Sequence, residues 1–150
     1  MRTLTASPRT ARGFTLIETL VALAVTAVLA AIAYPSFESQ LRKAYRSDGL
    51  VALMHAQLAE ERWRSSSASY GSLLQVGVSG VSAAGRYRLD LLAADAAGYE
   101  LLATATGSQA RDSNCRYLLL RVTGANVLYA SGPSAAASNP AALNRRCWSL

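Results

Sequence analysis

Residues Phe14 to Tyr34, "FTLIETLVALAVTAVLAAIAY", form an apolar run of 21 residues that carries a single charge, Glu18. As one helix rising ~1.5 Å per residue, the run would extend about 31 Å, the thickness of a bilayer's hydrocarbon core. A helix buried in a soluble protein is normally shorter and keeps a polar face, so the run predicts a membrane-inserted helix. The acid is the anomaly. A carboxylate at the centre of a membrane helix costs roughly 3 kcal/mol on insertion scales. Two readings are open: Glu18 snorkels to water from a plain anchor, or it pairs with a cation. In lipid the nearest cations are N-terminal amines of neighbouring helices, and such pairing would favour bundling.

The flanks of the run decide how it is used. Arg2, Arg9 and Arg12 precede it, and the first thirteen residues contain no acid, whereas Arg42, Lys43 and Arg46 follow it together with Glu38 and Asp48. This bias predicts a single span with its N-terminus in the cytoplasm. A conventional signal peptide has an apolar core of roughly 7–15 residues with the small-residue cut site after it. Here the run is longer and the small residue, Gly13, comes before it. Cleavage after Gly13 would retain the run, place Phe14 at a new N-terminus, and leave Glu18 one helical turn from the freed amine. A carboxylate there also gains from the helix dipole.

These residues resemble a known family. "RGFTLIE", an unbroken apolar stretch, and then "AIAYPSF" are similar to the N-terminus of type IV pilins. The resemblance continues through "YPSFESQLRKAYRSDGLVALMHAQLAEERWRSSSASYGSL" towards the PilE-like and minor-pilin group, and the closing Cys147-Trp148 is similar to that group's tail. It implies a prepilin peptidase that cuts between Gly13 and Phe14 and methylates the new amine. It implies Glu18 as the assembly carboxylate, Pro35 as a helix kink, and other pilin subunits as partners, from the inner membrane to an extracellular pilus. One departure is the lack of a second proline some twenty residues after Pro35; Gly49 is expected to supply flexibility there instead. The short soluble part points to a minor subunit.

The expected fold is α+β: a long N-terminal helix, half transmembrane and half amphipathic, packed on a small antiparallel sheet. The expected organisation is a leader at 1–13, a polymerisation helix at 14–35, an amphipathic half at 36–65, and a globular head at 66–150. Within the amphipathic half, Phe37, Leu41, Tyr45, Val51, Met54 and Leu58 recur at three- and four-residue steps, and this stripe is expected to face the sheet. A Ser- and Gly-rich loop should then run to about Gly85. Strand candidates follow in "RYRLDLLAA", "GYELLATATG", "CRYLLLRVTG" and "NVLYAS", the last two joined by a two-residue turn.

Two cysteines, Cys115 and Cys147, read in an exported chain as one disulfide, worth roughly 3–4 kcal/mol for a loop of that size; two buried thiols in a cytosolic chain are the alternative. The tail "GPSAAASNPAALNRRCWSL" lacks periodicity and is expected to be a loop pinned by that bond.

Net charge is +6, and removal of the first thirteen residues leaves 12 basic against 9 acidic residues, a net +3. The single histidine, His55, has no partner cluster and the cysteines lack CxxC spacing, so no metal site is expected. No Ser-His-Asp set, phosphate loop or carboxylate pair is present, which argues against an enzyme and against a cofactor. The remaining classes are a filament subunit serving adhesion, twitching motility or DNA uptake, a type II secretion pseudopilin, and a DNA-binding minor pilin. For the last, Arg145 and Arg146 would grip phosphate while Trp148 stacks on a base; the competing reading packs Trp148 beneath the disulfide.

Overall fold

The computed structural model describes residues 13–149, so the arginines of the leader lie outside the described residues. The chain divides into two compact units at Phe37/Glu38.

The first unit is the opening half of helix α1, Leu16–Arg64, whose assignment runs without interruption through Pro35. Thr15 starts it: its Oγ1 accepts the Glu18 N–H at 3.3 Å, so one of the four orphan amides of the first turn is satisfied. Thr19 and Thr26 donate their hydroxyls to the carbonyls of Leu16 (2.8 Å) and Ala22 (2.7 Å). The threonine hydroxyls are thereby satisfied within the helix, as an apolar medium requires. Mean hydropathy reaches 2.4 over 18 residues, and none of that window is buried. The helix is long and apolar enough to cross a membrane.

The second unit contains the rest of α1 and a four-stranded antiparallel sheet in the order β1-β2-β3-β4. The strands are β1 Tyr87–Ala94, β2 Gly98–Ala105, β3 Tyr117–Thr123 and β4 Asn126–Gly132. Each strand therefore pairs with its neighbour in sequence. The β3–β4 turn is Gly124-Ala125, with Gly124 at φ +56°, the left-handed conformation that a two-residue hairpin favours. Gly98 sits where a Cβ would fall 2.0 Å from the Val122 carbonyl oxygen, so only glycine lets β2 approach β3 at that point.

Burial along α1 falls on Gly49, Leu53, Ala56 and Glu60, steps of four, three and four residues that define one helical face. Leu53 and Ala56 join Tyr87, Leu89, Tyr99, Leu101, Leu118, Leu120 and Val122 in the core between helix and sheet. The expected stripe is thus displaced: Val51, Met54 and Leu58 are 50%, 51% and 54% exposed. On this face the small Gly49 and Ala56 alternate with Leu53 and Glu60 and let helix and sheet approach closely. Gly49 shows why. A Cβ there would lie 2.8 Å from the Tyr87 ring, so its role is close packing and not flexibility.

The tail corrects a second expectation. Instead of a pinned loop it contains a helix, α2, Ala141–Trp148, closed by Ser149 in the left-handed conformation at φ 57°. Arg145 and Arg146 fall in its last turn, where cations favour the helix dipole. On the opposite face of the sheet, Leu102 and Leu119 are covered by Ala137 from the segment before α2.

Candidate functional site

At the N-terminal end, Phe14 is 82% exposed and Glu18 lies exposed in the first turn of α1. The structure brings Thr15 and Glu18 together but places no cation beside the Glu18 carboxylate among the described residues.

In the head, charge gathers where α2 meets α1. Lys43, Arg46, Ala142, Arg145, Arg146 and Ser149 line an open cleft of about 740 Å³. One of the lining cations, Arg46, is already committed to an acid, Asp112. The Arg46 guanidinium grips both oxygens of Asp112, its Nε on Oδ2 and its Nη2 on Oδ1 at 3.1 Å. Its remaining Nη1 donates to the Arg146 carbonyl at 3.1 Å. Both side chains are largely buried, at 13% and 9% exposure, so the pair is a structural bridge. Breaking such a pair by removing one partner costs roughly 3–5 kcal/mol. Gln109 completes the joint: its amide donates to the Arg42 carbonyl at 3.0 Å and to the Tyr87 hydroxyl at 3.1 Å. Burial of the Tyr87 phenol pushes its pKa up to about 12.

With Asp112 neutralised by Arg46, the cleft keeps the charges of Lys43, Arg145 and Arg146. All three are exposed, and none has an ion-pair partner among the described residues. An unpaired, solvated guanidinium pair on a fixed helix end is suited to phosphate. The two arginines singled out in the sequence are therefore brought together with a lysine from α1 that sequence spacing did not connect to them.

Trp148 is not part of that surface. It is 5% exposed, its Nε1 donates to the Ala130 carbonyl at 2.9 Å, and its ring packs on Tyr129 with centroids 4.8 Å apart. The indole holds α2 against β4, and base stacking by Trp148 is set aside. Cys115 and Cys147 form the disulfide, with both residues buried.

A second anchoring carboxylate lies elsewhere on α1. Burial pushes the Asp48 pKa upward, but the Ser82 hydroxyl, the Ala84 and Arg86 amides and the Arg86 charge together hold it below the ordinary range. It fixes the loop that enters β1. His55, exposed, lines a separate cleft of about 410 Å³ beside that loop.

Residues 8–34 match the prokaryotic N-terminal methylation motif. With a long N-terminal helix packed on a four-stranded antiparallel sheet, this defines the molecule as a type IV pilin. Residues 35–119, more than half of the chain, match the family described as type IV minor pilin ComP, DNA uptake sequence receptor, and the chain belongs to that family. The family is one of filament subunits, not of enzymes. No individual curated protein matches the chain.

Proposed function

We propose that this minor pilin is cleaved between Gly13 and Phe14, held as a single span with its N-terminus in the cytoplasm, and then assembled with other pilin subunits into an extracellular filament whose exposed head binds DNA. In this reading residues 1–13 are the leader and 14–35 the polymerisation segment, with Pro35 as the place where the helix bends. Phe14 carries the methylated amine, and Glu18 neutralises the amine of a neighbouring subunit. The head, from the amphipathic half of α1 to the tail, presents Lys43, Arg145 and Arg146 to the phosphate backbone.

The observation that carries the DNA reading is the arrangement around Arg46. Asp112 is consumed in a buried bridge with Arg46, which leaves three exposed cations with no ion-pair partner among the described residues. Phosphate contacts of this kind release condensed counterions, each contributing about 0.9 to the slope of log affinity against log salt.

The test is duplex binding by the full mature chain in detergent, measured from low to physiological salt. Arg145→Ala combined with Arg146→Ala should weaken binding and reduce the slope by about 2. Unchanged affinity and slope in that double variant would remove the cleft from the DNA surface.

A further inference from the structure

The connection between β2 and β3 consists of two 3₁₀ turns, Gly107–Arg111 and Ser113–Cys115, joined at Asp112. A 3₁₀ turn repeats every three residues, so side chains three apart lie above one another. Here Gln109, Asp112 and Cys115 fall on that spacing, and they are 1%, 8% and 1% exposed. Each is tied down: Gln109 to Arg42 and Tyr87, Asp112 to Arg46, and Cys115 to Cys147. The neighbouring side chains Arg111, Ser113, Asn114 and Arg116 are left exposed on a ridge with a fastened inner face. Neither the Arg111 guanidinium nor the Asn114 side-chain amide has a hydrogen-bond or ion-pair partner among the described residues.

We infer that this ridge, through Arg111 and Asn114, is the part of the head that distinguishes one DNA sequence from another, while Lys43, Arg145 and Arg146 hold the backbone. The inference rests on the DNA reading proposed above. Phosphate contacts carry no sequence information by themselves, and base edges are read by side chains that offer paired donors and acceptors. Arginine matches guanine O6 and N7 in this way, and asparagine matches adenine N6 and N7. The basic cleft is lined by arginines but by no asparagine or glutamine, and Trp148 is held in the core. The ridge offers Arg111 and Arg116 together with Asn114.

Discrimination also requires that the reading groups keep a fixed position relative to the backbone grip. Three cross-links supply it. The disulfide joins the end of the ridge to α2. The Asn139 amide donates to the Asn114 carbonyl at 2.6 Å. Arg46 bridges Asp112 to the Arg146 carbonyl. A duplex seated on Arg145 and Arg146 would therefore meet Arg111 and Asn114 in one register. The ridge also lies within residues 35–119, the stretch matched to a DNA uptake sequence receptor.

The experiment uses the full mature chain in detergent and a pool of duplexes with a randomised core. Selection should enrich a sequence, and affinity is then measured for the enriched duplex and a shuffled one. Arg111→Lys keeps the charge but loses the paired donors, and Asn114→Ala keeps the backbone carbonyl that Asn139 uses. Each should cut the ratio of the two affinities by about tenfold, with the salt slope unchanged. Arg145→Ala with Arg146→Ala should weaken both duplexes alike and preserve the ratio.

The ridge assignment is overturned if both Arg111→Lys and Asn114→Ala retain the full ratio, if they weaken both duplexes equally, or if the wild-type chain enriches no sequence. A wild-type chain that holds no duplex at all sinks the DNA reading itself, a result distinct from the other three.

Discussion

The two halves of α1 differ in composition as well as in physical situation. From Leu16 to Phe37, 17 of the 22 residues are apolar and one is charged, against 12 apolar and nine charged among the 27 from Glu38 to Arg64. In the first, Leu16, Ile17, Leu23 and Ile32 are each 67–81% exposed, and the Thr19 and Thr26 hydroxyls are satisfied within the helix. In the second, four residues are buried, two of them Gly49 and Ala56, while the larger Val51, Met54 and Leu58 face outward. What separates the halves is amphipathicity: the first is apolar all round, whereas the second keeps one packed face, with Gly49, Leu53 and Ala56, and carries charges elsewhere. A helix that is apolar all round needs an apolar medium or neighbouring helices, whereas a face with Gly and Ala admits a sheet at close range.

The sharpest way to break this comparison is at Glu18. If it neutralises a neighbour's amine, Glu18→Ala leaves cleavage after Gly13 intact. An uncompensated buried charge costs roughly 3–5 kcal/mol, so filament incorporation should fall by roughly a hundredfold. Quantifying the variant in sheared filaments, with mass spectrometry of its N-terminus, checks both parts, and normal incorporation would refute the pairing. A second contrast lies within the other half. Leu53→Ala should cost roughly 2–5 kcal/mol of head stability in denaturant unfolding. Leu58→Ala, on the outward face, should change it by less than about 0.5 kcal/mol; equal losses would mean the packed face has been misidentified.

The smallest effect concerns Glu60. It is fully buried, with Oε2 accepting the Gly71 N–H at 3.0 Å and Oε1 without a partner. Burial raises its pKa, the Gly71 amide partly opposes this, and neighbouring Glu61 adds to it. A raised carboxyl means that the folded state holds the proton to higher pH than the unfolded chain. Head stability should therefore decline as pH rises from the ordinary glutamate value through the raised one. Glu60→Gln should flatten that decline in melting curves collected across the window. The depressed Asp48 acts in the opposite direction and at lower pH, where its protonation removes stability.

Much of this architecture was legible in the sequence, for identifiable reasons. Strand candidates were bounded by Gly and Asp turns, and the four observed strands begin or end within two residues of them. The helix extended to Arg64 because the Ser-rich stretch that follows breaks it. The packed face was misread because periodicity weights large side chains, while Gly49 and Ala56 carry little signal despite making the contact. Helix α2 was missed because eight residues are too few to show a period, although Pro140 before "AALNRRCW" is a helix-start signal. At the candidate site, Arg145 and Arg146 were visible as a basic pair. Their convergence with Lys43 and the commitment of Arg46 to Asp112 depend on contacts across 66 and 100 residues, which no local pattern encodes. Trp148 was open to two readings in sequence, and its hydrogen bond to Ala130 decides between them.

The bridge made by Arg46 links three positions that chain order keeps far apart. Natural relatives cannot drift freely at positions 46 and 112: loss of the arginine strands an acid, and loss of the acid strands an arginine. Positions 46 and 112 should thus change as a pair through descent, while exposed Lys43, Arg111 and Asn114 remain free to vary with whatever the filament has to recognise.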